Sequence, residues 1–360
     1  MGSVESAGQR RRVPHWIIAA LGYSISIACL VWVYHGFDWK QELPRVMATD
    51  WRWVTLAVIS DICVYVIQGW RWNLLLRPVK RVPLITSVQA IYIGLFANEI
   101  LPLRSGEVIR AYLQAKWHGL PFSVLLSSVA VERVLDGAWL ALGFYLVLRD
   151  MSVPGYLSAG SRILVLILLA AGVLFALAVL RKTQEREVAP RSRWAAGLRH
   201  LVAGLHTMGR SWSFLFAAII SFLYLALQIV PVYALARGFG LSLSFGAATA
   251  VLIILRLGSI PPQAPGNVGT FQFFTIVGLR LFGITGDNAT AFATLLFIVL
   301  TVPLWAAGFI ALLATRMRLQ QVHRDAREYL ANGGHTGSAE SGRNPNPSAA
   351  PAAPAVTPED

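Results

Sequence analysis

Cysteine, histidine and charge are all scarce in this chain. Its two cysteines, Cys29 and Cys63, both fall inside apolar runs. Thiols so placed act as small buried hydrophobes and supply neither a disulfide framework nor a thiolate metal centre. The seven histidines, His15, His35, His118, His200, His206, His323 and His335, fall outside the interiors of those runs, and neither H-E-x-x-H nor G-x-S-x-G occurs. An intramembrane metalloprotease and a serine hydrolase are thereby disfavoured. No nucleotide-binding motif appears, so ATP hydrolysis by this chain is not expected, and nothing calls for a cofactor.

Only 14% of the 360 residues are charged against 56% hydrophobic, and the mean hydropathy is +0.57. A soluble domain does not reach that balance, so the chain reads as an all-α, polytopic membrane protein. Its formal net charge of +13 does not imply nucleic acid, because the basic residues sit in short runs at the ends of apolar segments, where they set topology.

About 20 apolar residues as helix cross a bilayer core of roughly 30 Å. Six segments qualify as full spans, 16–34, 53–70, 124–148, 163–180, 214–236 and 289–314. Arg10, Arg11 and Arg12 precede the first, which reads as a retained signal-anchor because its apolar run is long and no clear cleavage site follows. Two further apolar stretches, 84–101 and 241–281, are broken at Pro102 and Gly106, and at Pro262, Pro265, Gly266 and Gly269. Proline removes a backbone donor and clashes with the preceding turn. Such breaks survive at membrane depth only where protein or a polar cavity satisfies the freed groups, so both stretches read as re-entrant hairpins.

Loop charge orients them. With a cytoplasmic N-terminus, the inside loops hold Arg71, Arg77, Lys80 and Arg81, then seven arginines and lysines between Arg181 and Arg210, then Arg316, Arg318, Arg324 and Arg327. The outside loops are poorer in unbalanced basic charge, as the positive-inside rule asks if the first hairpin opens to the cytoplasm and the second to the outside. Opposed broken segments in corresponding places of two halves mark an inverted repeat around a midplane site. The expected organisation is a basic cytoplasmic N-terminus at 1–14, a transmembrane domain at 15–316 with a basic cytoplasmic loop at 181–211, and a mostly disordered cytoplasmic tail at 317–360. Both termini are then cytoplasmic at the cell membrane. Trp194, Leu198, Leu201, Val202 and Leu205 fall at helical spacing, and the loop carrying them reads either as an amphipathic helix on an anionic leaflet or as a solvated topology signal.

Charges in apolar surroundings are costly and usually face a bundle interior or a watery path. Asn98, Glu99, Arg104, Glu107 and Arg110 surround the first break. Arg104 and Arg110 offer planar donor forks that match phosphate, and Glu107 neutralises them when no lipid is present; alternatively these charges simply pair at the interface. Glu132, Arg133 and Asp136 share a span, spaced to pair at i,i+3 and leaving one net negative charge. That charge has four readings: it accepts an arginine from a hairpin, binds a coupling cation, carries a proton, or belongs to a structural ion pair. Arg256, Gln263, Asn267, Gln272 and Arg280 surround the second break, where Gly266 and Gly269 permit backbone amides to approach an anion; the alternative is plain helix breaking with a snorkelling Arg280. Asp61 with Gln68 is a weaker polar candidate.

Three strings, FANEILPLRSGEVIR at 96–110, ERVLD at 132–136 and PGNVGTFQ at 265–272, together resemble the lysylphosphatidylglycerol synthase transmembrane-domain family, also called flippase-like domain proteins. The likeness covers about 16–316. It implies translocation of lipids such as aminoacylated phosphatidylglycerol or lipid-linked sugars, with the first motif's residues on Asn98, Pro102, Arg104 and Glu107 and the second's on Glu132, Arg133 and Asp136. Gln272 stands where the family's last motif usually ends in glutamate, and glutamine does not titrate. The soluble aminoacyl-transferase domain of some relatives is missing from this sequence.

The expected function is therefore transport of a membrane lipid with an anionic headgroup, with Arg104, Arg110, Arg256, Asn98, Asn267 and Gln272 binding that headgroup. Glu99, Glu107, Glu132, Arg133 and Asp136 form the charge relay or ion pairs. Two alternatives stay open: a non-catalytic partner of a lipid-modifying enzyme, or a metal-dependent lipid transferase using Glu107, Glu132 and Asp136.

Overall fold

A computed structural model of the chain describes residues 15–101, 105–149, 166, 212–259, 263–315 and 319–331. The expected span at 163–180 (Leu166 apart), the basic loop at 181–211, and the stretches 1–14 and 332–360 lie outside the described residues. All regular structure among those described is helical.

Helix α1 (His15–Tyr34) turns through 91° into the short α2 (Trp39–Met47). Asp38 starts α2 by accepting from the Lys40 and Gln41 amides at 3.0 and 3.3 Å, which satisfies donors the helix cannot pair itself. Asp50 does the same for α3 (Trp51–Leu76), accepting from the Arg52 amide at 2.9 Å. Next comes a hairpin of α4 (Leu84–Ile100) and α5 (Gly106–His118), then the long α6 (Phe122–Arg149). After the undescribed segment the same order returns: long helix α7 (Trp212–Gly238), a hairpin of α8 (Phe245–Gly258) and α9 (Thr270–Arg280) joined through a 3-10 turn (Pro265–Asn267), and long helix α10 (Asp287–Ala314). Helix α11 (Leu319–Ala331) follows.

Among the described residues, α3, α7 and α10 are long and apolar enough to cross a bilayer, and α1 joins them if it is counted with α2 as one bent pair. The expectation of six full spans is thus met in part. Helix α6 has the length, at 28 residues, but Glu132, Arg133, Asp136 and Arg149 interrupt its apolar character. The long helices turn large apolar residues outward, among them Ile59 and Ile62 on α3, Phe216 and Phe222 on α7, and Phe309 and Leu313 on α10. Such a belt is the surface a helical bundle presents to lipid.

Helices α3 and α7 pack antiparallel, because the Asp50 amide at the start of α3 donates to the Gly238 carbonyl at the end of α7 (3.2 Å). The two hairpins open at opposite ends of this pair. At the end where α3 finishes, Asn73 Nδ2 donates to the Val82 carbonyl (3.0 Å), and Lys80 Nζ donates to the carbonyl of His118, the last residue of α5 (2.8 Å). Thr86 Oγ1 and His118 Nε2 lie 3.0 Å apart, so both mouths of the first hairpin meet there. At the end where α3 begins, Phe239 and Leu243 before the second hairpin share an apolar cluster with Phe282 and Ile284 after it.

Each hairpin is broken as its sequence demands. Leu101, preceding Pro102, is extended (φ −91, ψ 139), since proline disfavours the helical conformation of the residue before it. At the second tip, Gly266, Asn267 and Gly269 all have positive φ (76, 52 and 87), a region where glycine is at little cost. Gly94 and Gly106 let α4 and α5 cross in contact: a Cβ on Gly106 would sit 2.7 Å from Asn98 Oδ1, and one on Gly94 would sit 3.1 Å from the Arg110 Cβ.

Two short helices lie outside the expected spans and hairpins. Helix α2 exposes Trp39, Leu43 and Met47. Helix α11 packs on α5, burying Val322 and Ala326, while Tyr112 donates to Asp325 at 3.2 Å.

Candidate functional site

Two polar centres occupy the bundle. The first is an ion network beside the first hairpin. Arg110 of α5 reaches Glu132 of α6 at 2.5 Å, and Arg71 of α3 lies 3.5 Å from the same carboxylate while hydrogen-bonding Asp136. Arg133 completes the network with Glu107 at 2.6 Å and Asp136 at 3.9 Å. Rings and a hydroxyl support the buried cations: Arg71 lies over Tyr224 and donates to Ser221 at 3.1 Å, and Arg110 lies over Trp72. Trp72 is itself fixed by donating to Ser128 at 2.8 Å.

Three arginines face three carboxylates, so the network is neutral. This corrects one expectation and selects among the readings of another. Loop charge places Arg71 in a cytoplasmic loop, but α3 continues past its apolar run to Leu76 and buries Arg71 completely. Burial is tolerated because both neighbouring carboxylates and the Tyr224 ring replace the lost hydration. The net negative charge of Glu132, Arg133 and Asp136 meets an arginine from a hairpin, Arg110, the first of its four readings, and Arg71 and Glu107 complete the balance.

The second centre is a cavity of about 160 Å³ between the hairpin tips. Asn98 and Glu99 line it from the first tip, and Gln263, Gly266 and Asn267 from the second. Asp61 and Tyr65 enter from the middle of α3, Gln228 from the middle of α7 and Arg256 from the last turn of α8. Phe271, Phe274 and Phe297 make its apolar wall. Arg256 is accessible and donates to Gln228 Oε1. Asp61 is 7% exposed, and among the described residues no hydrogen bond or ion pair engages its carboxylate.

Two candidates help build the tips. Asn98 Oδ1 accepts from the Gly106 amide (2.7 Å), closing the first tip on itself. Gln272 Oε1 accepts from the Gly269 amide (2.8 Å), capping α9 from within its first turn. Glutamine performs this as a glutamate would, which gives the departure at position 272 a structural account. Arg280 lies over the Trp32 ring of α1, 4.6 Å from its centroid. Helix α1 also holds the second tip: Ser26 Oγ accepts from the Ala264 amide (3.0 Å), and a Cβ on Gly22 would sit 3.1 Å from the Gln263 backbone.

The structure therefore divides the first-break candidates between two places. Glu107 and Arg110 join Glu132, Arg133 and Asp136 in the network, whereas Asn98 and Glu99 join Arg256, Gln263, Asn267 and Asp61 at the cavity. Arg104, Pro102 and Pro262 lie outside the described residues. Arg71, Tyr65 and Gln228 were missed as site residues. The signal for the first two was a period: Asp61, Tyr65, Gln68, Arg71 and Trp72 recur at helical spacing on one face of α3.

The sequence is similar to a UPF0104 membrane protein of Methanothermobacter thermautotrophicus, at 23% identity over 76% of this chain and 85% of that one. It is also similar to a UPF0104 membrane protein of Methanocaldococcus jannaschii, at 24% identity over 81% of this chain and 92% of that one. A shorter likeness, 24% identity over 35% of this chain and 20% of the other, is to the glycosyltransferase AglD of Haloferax volcanii. Residues 19–308 match the family described as Lysylphosphatidylglycerol synthase TM region, and the chain belongs to that family.

Proposed function

We propose that this protein is a membrane lipid transporter that passes an anionic headgroup, of a phospholipid or a lipid-linked sugar, through the cavity between the hairpin tips. In this reading α3–α6 and α7–α10 are inverted repeats of two crossings each within a six-crossing bundle, each carrying one re-entrant hairpin, with the cavity near the bilayer midplane. The observation that carries it is the meeting of both broken tips at one polar cavity that holds an accessible arginine, Arg256.

The chemistry follows from the cost of flipping. Moving a phosphate through hydrocarbon exposes its charge, and that is the main barrier. Arg256 replaces Gln228 with the phosphate, and the first turn of α9, whose amides the helix leaves unpaired, adds donors beside it. At about 160 Å³ the cavity is smaller than the roughly 300–1,000 Å³ of pockets that enclose whole drug-sized ligands. It suits a headgroup whose acyl chains remain in the bilayer. The ion network is the brace that holds the first hairpin on α6. Phosphate recognition by Arg110 requires displacement of Glu132, and Arg104 remains a proposed second phosphate ligand.

A photo-activatable anionic phospholipid tests the site. Adducts are expected within 256–272 and to be lost in Arg256→Gln; adducts confined to the outward faces of the long helices contradict the proposal.

A second reading, in which the chain serves a glycosyltransferase reaction without transporting lipid, draws on the partial likeness to AglD. It predicts activity only in the presence of a partner enzyme. A metal-dependent transferase is less well supported, because Glu107, Glu132 and Asp136 each already face an arginine.

A further inference from the structure

The cavity contains a carboxylate that binding a phosphate does not require. Asp61 is nine-tenths buried, lines the cavity, and has no hydrogen bond or ion pair among the described residues. Arg256, across the cavity on α8, supplies its opposing charge, while the Arg256 guanidinium hydrogen-bonds the neutral Gln228. The other titratable groups around Asp61 are Tyr65 one turn along α3, Tyr92 and Glu99 on α4, and Tyr224 on α7. Helices α9 and α10 contribute only Thr270, Thr301 and apolar side chains to the lining.

Charge bookkeeping then constrains what enters. With the cavity empty, Asp61 and Arg256 cancel. A phosphate that takes Arg256 leaves Asp61 as an uncompensated anion beside a second anion, in surroundings where Coulomb repulsion is weakly screened. The ion network cannot relieve it, since its three arginines are matched by its own three carboxylates.

We infer that Asp61 is the binding site of a monovalent cation, a proton or Na⁺, taken up with each anionic headgroup. The inference rests on the transport reading and adds its coupling ion. The cation neutralises Asp61, Arg256 is released to the phosphate, and the loaded cavity returns to the charge of the empty one. Headgroup and cation thus raise each other's affinity by the same factor, and a gradient of that cation drives transport. Both sources share one chemistry, neutralisation of a carboxylate, and are separated by which ion binding depends on.

The test is binding of dioctanoyl phosphatidylglycerol to the full chain in detergent. One arm varies pH, and the other varies Na⁺ against choline at constant ionic strength. Uptake of one cation predicts that affinity rises about tenfold per unit fall in pH, or about tenfold per tenfold rise in Na⁺, below saturation. Asp61→Asn is expected to bind the lipid with neither dependence, and Asp61→Glu, which keeps the carboxylate, to retain it. Should Asp61→Asn not fold, the dependence in the wild type together with its midpoint shift in Asp61→Glu carries the decision. Lipid binding by the wild type that is indifferent to both ions overturns the cation site and leaves the transport reading standing. Absence of lipid binding by folded protein overturns both.

Discussion

The Arg110 guanidinium lies 2.5 Å from the Glu132 carboxylate, and through this contact the second helix of the first hairpin is fixed to α6. The same carboxylate faces Arg71 of α3 at 3.5 Å, so one glutamate joins three elements. Removing one partner of a buried pair leaves an uncompensated charge, at a cost of about 3–5 kcal/mol. Glu132→Gln is expected to lower the thermal stability of the purified protein by an amount of that order. Glu132→Gln combined with Arg110→Met is expected to cost at least 1 kcal/mol less than the sum of the single changes, as contacting residues couple. Additive effects in that double-mutant cycle would dissolve the link.

Close approach within the first hairpin gives a second prediction. A Cβ on Gly106 would strike the Gly94 carbonyl as well as Asn98 Oδ1, whereas one on Gly119, the C-cap of α5, would meet nothing within 4 Å despite its positive φ of 62. Gly119→Ala therefore carries only the left-handed conformational penalty, roughly 1–2 kcal/mol. Gly106→Ala adds steric overlap in a packed interior, typically about 1–3 kcal/mol or more. Thermal denaturation should rank Gly106→Ala as clearly the more damaging, and equal effects would mean that α4 and α5 do not cross as described.

The cap at the second tip predicts an asymmetry at position 272. Gln272→Glu keeps an oxygen for the Gly269 amide, and the favourable charge at a helix N-terminus offsets part of the cost of burying a carboxylate there, so it should lose less stability than removal of the acceptor. Gln272→Ala removes the acceptor and should cost about 1 kcal/mol. The two melting temperatures decide it, and similar losses for both would show that the capping contact contributes nothing.

Opposed hairpins are testable by accessibility. With Cys29 and Cys63 replaced, cysteines introduced at the exposed Arg81 and Ser242 flank the mouths of the first and second hairpins. Impermeant reagent should label position 242 from outside the cell and position 81 only after the cytoplasmic face is opened. Labelling of both from one side would refute opposed re-entry.

The hairpins were legible in the sequence because proline and glycine act locally: Pro102 imposes an extended Leu101, and Gly266 and Gly269 occupy positive-φ positions. The charged residues were legible one by one, because cost in an apolar setting is a property of each residue, but their grouping was not, since the first-break set divides between the ion network and the cavity. Their partners were not. Arg71 contacts Glu132 and Asp136 from 61 and 65 positions away, separations of no local pattern, and the positive-inside rule counted it as a loop charge because it sits just past an apolar run. Asp61 carries little weight in sequence alone and gains meaning only because folding places it on the same cavity as Arg256. The short α2 and α11 escaped notice because each shows an apolar stripe too brief to mark a span.

Lipid translocation in proteoliposomes, with headgroup-labelled anionic and zwitterionic lipids, tests the central claim most directly. Wild-type protein should move an anionic lipid, and Arg256→Gln, folded to the same extent, should lose that activity by at least tenfold. Transport by Arg256→Gln at the wild-type rate, or no transport of any lipid by folded wild-type protein, would contradict the account.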